Sequence, residues 1–165
     1  MSAQGRMQLA GLSGRIKDLK FDHVYSSDRK RAVQSARVVF GKRRIIMEQG
    51  LREIDFGVLE GMKHGDILKK YGAAYRKWLA DPYKGRIPKA ETMAVFKKRV
   101  RKAIKTLAQR HPGGRIAVVC HGGVIGIMVS SIFKSIDFWR YVPAPASLTM
   151  IEYSRGNLKV KKWPK

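Results

Sequence analysis

The chain has 165 residues, of which 44% are hydrophobic, and 35 Lys and Arg against 12 Asp and Glu give it a formal net charge of +23. This length favours one domain with a substantial core, and the hydrophobic content excludes a chain that is disordered as a whole. No apolar run reaches the ~18 residues that a membrane-spanning helix needs, so membrane proteins of that type are excluded.

The basic residues are spread along the chain, and we interpret them mainly as a solvated surface. Binding to nucleic acid stays an alternative, because a basic field attracts phosphates in a salt-dependent way. The single cysteine, Cys120, excludes an intramolecular disulfide and favours a reducing compartment, so we expect a cytoplasmic protein. The acid-poor stretch before Asp18 is compatible with a transit peptide, but it also fits a helix of the domain.

Helices and strands alternate along the first half of the chain. Ser2 is predicted to cap a helix whose apolar residues recur every three or four positions up to Leu19. Ser27 or Asp28 is predicted to cap a second helix, which Gly41 ends. The short strands predicted on either side of this helix are residues 22–26 and 44–47.

The second half continues the same alternation after an ordered loop at residues 51–61, which has no helical period. The predicted helices are residues 65–80, 91–110 and 123–133, and the predicted strands are residues 115–120, 148–153 and 158–163. The strand at 115–120 is predicted to be buried, and the last two strands form a hairpin. The pattern predicts an α/β fold with helices on both faces of a mainly parallel sheet.

The sequence around His121 is the strongest indication of a functional site. A short apolar strand ends in Cys120 and His121, and Gly122 and Gly123 then open an apolar helix. Ligands bind at the carboxyl ends of strands in open α/β sheets, and helix N-termini there receive anions. A cysteine-based phosphatase would need arginine at position 126, which is glycine, so we interpret Cys120 as a small buried side chain.

Three further charged residues are candidates for the same site. Arg31 lies one turn into the second helix and is placed to grip an anion, although a surface arginine fits its spacing equally well. Glu53 and Glu60 lie in the glycine-containing loop. A loop carboxylate near a phosphate can act as a general acid, although an exposed acid that balances this basic chain is the default interpretation. No metal site is expected, because none of the remaining histidines is spaced with other ligands: His23, His64 and His111.

Five segments together resemble motifs of the histidine phosphatase superfamily, on its branch of broad phosphatases and alpha-ribazole phosphatases. They follow the family's order and cover nearly the whole chain. The matching segments are Val24-Tyr-Ser-Ser-Asp28 with Arg31-Ala32, Leu51-Arg-Glu-Ile-Asp-Phe-Gly57 with Glu60-Gly61, Ala90-Glu-Thr92, Val119-Cys-His-Gly-Gly-Val124 and Ala146-Ser-Leu-Thr149. Leu59 stands where the family usually has tryptophan.

The resemblance implies a phosphoglycerate-mutase-like fold, a three-layer α/β/α domain of residues 1–165 with a C-terminal hairpin. It implies that Arg31, His121 and Gly122 bind the phosphoryl group and that His121 and Glu53 are catalytic. The expected ligand is a small phosphorylated substrate or inorganic phosphate, with no cofactor and no metal. The short loop between Gly61 and Glu91 favours a phosphatase over a mutase.

One departure from the family concerns the mechanism. The family opens with a strand ending in Arg-His-Gly, whose histidine becomes phosphohistidine, and the chain has no such motif. Ser2 to Gln8 already resemble the helix that follows it. We therefore expect residues 1–165 to lack the first strand and to hydrolyse phosphomonoesters poorly or not at all. A shortened phosphatase, an anion-binding pseudoenzyme and a basic nucleic-acid-binding protein stay open, and self-association is expected because the strand at 115–120 loses a neighbour.

Overall fold

The structure is a computed structural model that describes residues 1–162, so Trp163, the predicted last residue of the hairpin, lies outside the described residues. The helices are α1 (Ala3–Ile16), α2 (Lys30–Phe40), α3 (His64–Ala80), α4 (Met93–Arg110) and α5 (Gly122–Ile132). The strands are β1 (His23–Ser26), β2 (Ile45–Met47), β3 (Ile116–Val119), β4 (Met150–Ser154) and β5 (Asn157–Lys162). Short 3₁₀ turns cover Gln49–Leu51, Gly57–Leu59 and Trp139–Tyr141. The α/β class is confirmed.

Two separate sheets carry the strands. β1 lies between β2 and β3 in a parallel sheet, and β4 and β5 form an antiparallel hairpin around Arg155 and Gly156. Both turn residues have positive φ, at 48° and 80°, which suits a tight two-residue connection. In the parallel sheet Val24 faces Ile45 on one side and Ala117 on the other. β-Branched and aromatic residues dominate these strands because they pack well on a pleated surface.

The chain divides into two compact units, Ile54–Arg99 and the remainder. The remainder contains both sheets together with α1, α2 and α5, and α4 passes from one unit into the other at Val100. Among the described residues, no helix is long and apolar enough to cross a membrane.

The core beside the parallel sheet joins β1 to the C-terminal part of α4. Tyr25, Leu51, Ala103 and Leu107 are buried together, and partly buried residues of β2 and β3 pack against them. Helix α5 is buried along most of its length, including Val124 to Ser130 except Ile125, as its apolar sequence predicts. The predicted last residue of that helix, Phe133, lies just beyond it and is 53% exposed.

The predicted helix starts were right for α1 and wrong for α2. Ser2 caps α1, accepting a hydrogen bond from the Gly5 N–H at 3.1 Å. The N-cap of α2 is Arg29, which makes no capping bond through its side chain. Ser27 and Asp28, the predicted caps, use their side chains for His121 and Arg52 instead. Tertiary partners therefore displaced the local capping role.

Strand β3 is less buried than predicted. Only Ala117 is buried, while Ile116, Val118 and Val119 are half-buried. The reason is its position at an edge: within residues 1–162, β3 pairs with β1 on one side and with no strand on the other. The expectation that the strand before His121 has an unpaired edge is thereby confirmed.

The Ile54–Arg99 unit is tightened by close backbone contacts. Gly57 has φ +55°, and a Cβ there would lie 2.4 Å from the backbone of Pro88 to Ala90. The Val58 N–H donates to the Pro88 carbonyl at 3.2 Å, and the Arg99 guanidinium binds the Glu91 carboxylate at 2.6 Å. Glu91, predicted as the first residue of the long helix, lies two residues before α4.

We expect the open edge of β3 to make residues 1–165 self-associate, because unpaired strand edges recruit other chains. Sedimentation velocity should show species whose size increases with protein concentration. Val119→Lys should shift the distribution toward monomer, since a lysine on an edge strand opposes pairing. The matched control, Val95→Lys on the exposed surface of α4, should leave the distribution unchanged. A wild-type monomer at every concentration would contradict the prediction.

Candidate functional site

The ends of three parallel strands bring the candidate residues together. β1 ends at Ser26 and is followed by Ser27, whose N–H donates to the Val119 carbonyl of β3 at 2.9 Å. β3 leads within two residues to His121, and β2 leads through the 3₁₀ turn to Glu53. Because parallel strands run the same way, the residues that follow them meet at one edge of the sheet.

His121 is the centre of this site. It is the N-cap of α5, it is 7% exposed, and both of its ring nitrogens have partners. The Nε of Arg31 donates to His121 Nδ1 at 3.2 Å, and His121 Nε2 lies 2.9 Å from the Ser27 hydroxyl. The structure thus brings Arg31 and His121 into direct contact across 90 residues of sequence, and their roles stay predictions.

Glu53 lies at the first turn of α5. Its Oε2 accepts a hydrogen bond from the Gly123 N–H at 3.1 Å. Peptide N–H groups at a helix N-terminus favour negative charge. The anion predicted for the Gly122–Gly123 turn is therefore supplied, at Gly123, by a carboxylate of the protein itself. A Cβ at position 123 would lie 2.3 Å from Glu53 Oε1, so glycine is required for this approach.

An ion pair links the two loops that carry Ser27 and Glu53. Arg52 Nε donates to both oxygens of Asp28, at 2.8 and 3.1 Å, and its terminal NH₂ group donates to Oδ2 as well. The hydrogen bonds from Arg52 hold the pKa of Asp28 below its ordinary value of 3.8, and the charge of Arg52 acts in the same direction. This bidentate pair fixes the spacing between the end of β1 and the Glu53 loop.

Cys120 precedes His121 and is not poised for nucleophilic attack. Although the residue as a whole is half-buried, desolvation raises the pKa of its thiol to about 12, and the Glu53 carboxylate adds to the shift. A thiol that stays protonated at neutral pH is a poor nucleophile. This environment agrees with a packing role for the side chain.

The other candidates lie elsewhere. Glu60 accepts a hydrogen bond from the Phe56 N–H within the Ile54–Arg99 unit. His23 begins β1, and its ring lies 4.3 Å from that of His111, which contacts the Tyr25 hydroxyl at 2.8 Å. These two histidines are therefore at the opposite end of β1 from Ser27. Among residues 1–162 no group of three or more His, Cys, Asp and Glu could hold a metal ion.

Sequence reasoning missed two features of the site. The sequence predicts Ser27 and Asp28 as possible helix caps and as part of the motif at residues 24–28, but it predicts neither the contact of Ser27 with His121 nor the pairing of Asp28 with Arg52. The available signal was positional: Ser27 and His121 each follow a strand, and neighbouring parallel strands place such residues side by side.

Comparisons with known proteins agree with this architecture. The family model of the histidine phosphatase superfamily (branch 1) matches residues 1–165. The probable phosphoglycerate mutase GpmB of Escherichia coli (strain K12 / DH10B) is 33% identical over 169 residues, covering 99% of this chain and 78% of that protein. In other curated relatives, 31–33% identical, the matched part spans only 55–62% of their length.

Solved structures show the same fold. Bacillus stearothermophilus YhfR superposes with a TM-score of 0.90 at 25% identity, over 98% of this chain and 82% of that one. The mycobacterial glucosyl-3-phosphoglycerate phosphatase Rv2419c, solved with inorganic phosphate, has a TM-score of 0.81 at 23% identity, over 99% and 86% of the two chains. The expected phosphoglycerate-mutase-like fold is thereby confirmed.

Gly123→Ala should destabilise the protein, because its methyl group displaces the Glu53 carboxylate and leaves the Gly123 N–H without that acceptor. Loss of such a bond costs about 1–3 kcal/mol in the free energy of unfolding, measurable by urea denaturation. The matched control is Gly11→Ala in α1, where a Cβ would meet nothing within 4 Å. It should instead stabilise the helix by roughly 0.5–1 kcal/mol. Equal stability of Gly123→Ala and wild type would show that Glu53 is not held there.

The Asp28–Arg52 pair should contribute to stability only above acidic pH. The folded pKa of Asp28 is lowered from 3.8, so the contribution is present above about pH 4 and is lost as the pH falls through the lowered value. Asp28→Asn, Arg52→Gln and the double variant should each reduce the slope of unfolding free energy against pH in this acid range. If the loss of unfolding free energy in the double variant equals the sum of the losses in the two single variants, the two residues are not coupled.

Proposed function

The chain belongs to the histidine phosphatase superfamily, branch 1, and from this premise we propose that residues 1–165 form one domain that binds the phosphoryl group of a small phosphorylated substrate. Its reaction class is phosphomonoester hydrolysis through a phosphohistidine. Arg31, His121 and Gly122 bind the phosphoryl group, and Glu53 supplies the proton for the leaving oxygen. Phosphatase-type function is what the relatives and the structural neighbours support.

The contact of Arg31 with His121 is the observation that supports this proposal most directly. Arg31 Nε and His121 Nδ1 lie 3.2 Å apart at the N-terminus of α5, where a guanidinium, an imidazole and helix N–H groups together favour an anion. Arginine binds phosphate through several N–H groups in a fixed plane, which gives geometric selectivity for tetrahedral oxyanions. An anion here would accept from Arg31, from His121 and from the Gly122 N–H.

Glu53 is placed to serve the leaving group rather than the phosphoryl oxygens. Its Oε2 accepts from the Gly123 N–H, one residue beyond Gly122 in α5. Glu53 must first take up a proton; a protonated carboxyl group beside a bound phosphomonoester then donates that proton to the ester oxygen as the P–O bond breaks. The glycine at position 123 brings the carboxyl to the helix end without a steric barrier.

The nucleophile is the part of the mechanism that residues 1–165 do not supply. His23 and His111 lie at the amino end of β1, and Ser27 follows its carboxyl end. Ser27 lies four residue steps after His23, about 13 Å along an extended strand. Neither histidine reaches a phosphorus atom beside His121, and His64 is in no Arg-His-Gly context.

A polypeptide of residues 1–165 should therefore bind inorganic phosphate but give no detectable hydrolysis of p-nitrophenyl phosphate. Extending it at the amino end with a family-type strand that ends in Arg-His-Gly should restore turnover, because a nucleophile and a strand beside β3 are both added. Loss of a catalytic nucleophile typically costs roughly 10⁶ in rate. The measurement is steady-state release of p-nitrophenol, alongside phosphate titration by calorimetry.

The matched control carries the same extension with Arg-Gln-Gly in place of Arg-His-Gly. It should be inactive while sharing any gain in melting temperature. His121→Ala and Arg31→Ala in the active extension should each abolish phosphate binding or weaken it strongly. Hydrolysis by residues 1–165 that disappears in His121→Ala would show that another nucleophile operates, and failure to bind phosphate would overturn the proposed site.

A further inference from the structure

Ser27 is fully buried and contacts the ring of His121, although the proposed mechanism gives it no role. Its relative exposure is 0%, and its hydroxyl oxygen lies 2.9 Å from His121 Nε2. The Arg29 N–H also donates to the same oxygen, at 3.4 Å. Burying a hydroxyl is costly unless it is hydrogen-bonded. The partners of the Ser27 hydroxyl therefore restrict which nitrogen of the His121 ring carries the proton.

The partners of His121 determine which nitrogen holds the proton. A guanidinium only donates, so Nδ1, which receives the Arg31 Nε–H, must present its lone pair. A neutral imidazole with an unprotonated Nδ1 carries its proton on Nε2. Nε2–H therefore donates to Ser27 Oγ, and the two lone pairs of that oxygen receive Nε2–H and the Arg29 N–H.

This arrangement excludes Ser27 as a nucleophile. In a serine–histidine pair the imidazole accepts the hydroxyl proton, whereas here the imidazole is the donor to the oxygen. The side chain is also inaccessible to a substrate, because Ser27 has no exposed surface. The contact serves the geometry of His121 and not a covalent step.

We propose that Ser27 is a positioning residue that holds Nε2–H of His121 in every protonation state, so that Nδ1 is the nitrogen offered to Arg31 and to an incoming phosphate. The inference rests on the proposed phosphate site. When an anion binds, an oxygen accepts from Arg31 and from Nδ1 only if Nδ1 gains a proton. The Nε2–H···Oγ bond is unchanged, so the ring keeps its orientation while its charge switches.

Several charged or titratable groups surround the ring and act on this protonation step. Arg31 of α2 opposes a charge on the ring while no anion is bound, and Glu53 at the first turn of α5 favours it. Cys120 precedes His121 and stays neutral because its thiol pKa is raised to about 12. Asp28 and Arg52 beside Ser27 form an ion pair whose opposite charges largely cancel at the ring. Phosphate binding should therefore take up one proton at Nδ1.

Long-range ¹H–¹⁵N spectra of ¹⁵N-labelled residues 1–165 test this inference, with His121 assigned by comparison with His121→Gln. Without ligand, Nδ1 should have the shift of an unprotonated nitrogen and Nε2 that of a protonated one. Addition of inorganic phosphate should move only Nδ1 toward the protonated value. Ser27→Ala should give mixed tautomers and weaken phosphate binding by about tenfold, as expected for loss of one hydrogen bond to a charged group.

Ser130→Ala is the matched control, because Ser130 is equally buried and its hydroxyl bonds to the Ile127 carbonyl within α5. It should keep the wild-type tautomer and affinity, and Ser27→Thr, which retains the hydroxyl, should restore both. If wild-type His121 carries its proton on Nδ1 without ligand, the inference is wrong even where Ser27→Ala does not fold. An unchanged tautomer in Ser27→Ala also overturns it, whereas absence of any phosphate effect in wild type overturns the proposed function instead.

Discussion

Parallel pairing of β1 with β3 is the constraint on which the candidate site depends. The register sets Ser26 opposite Val119, and the Ser27 N–H donates to the Val119 carbonyl. A shift of this pairing by one residue would turn every side chain of β3 to the other face and separate Ser27 from His121. The packing of Ile116 and Val118 of β3 against the core around Tyr25 opposes such a shift, because the shift would turn both side chains away from that core. Core packing and site geometry are thus set by the same hydrogen-bonded ladder.

Electrostatics at the end of α5 follow from that geometry. A helix N-terminus attracts negative charge, and the protein places Glu53 there while Arg31 stays on His121. The carboxylate therefore approaches this helix end from the loop of Glu53, and the guanidinium approaches it from the first turn of α2. The Asp28–Arg52 pair ties these two segments together. In the proposed function, a phosphomonoester at this site would meet the donors of Arg31 on one side and the Glu53 carboxyl group on the other. The net charge of +23 adds a long-range attraction for any phosphate, which weakens with salt.

The sequence predicted most of the fold because its signals are local. Ser2 caps α1 where its spacing to Gly5 allows a bond, and the apolar sequence of α5 gives a buried helix. The capping role assigned to Ser27 and Asp28 was wrong, because the shortest hydrogen bonds of their side chains go to residues 94 and 24 positions away, which no local pattern reports. The burial of β3 was overestimated for a related reason. An apolar run shows that a strand can be covered on both sides, but not that a neighbouring strand is present.

The candidate site shows the same division between local and tertiary information. His121 stands out in sequence because a strand, an imidazole and two glycines follow one another, whereas the state of its ring is set by Arg31 and Ser27 from a distant segment. The two hydrogen bonds described for this ring come from Arg31 and Ser27. The hydrogen bonds described for this half of the site therefore form among residues of the chain itself. In the proposed function, binding of the phosphoryl group is thus separable from its chemical transfer: the β1–β3 edge would carry the first and a histidine brought beside it the second.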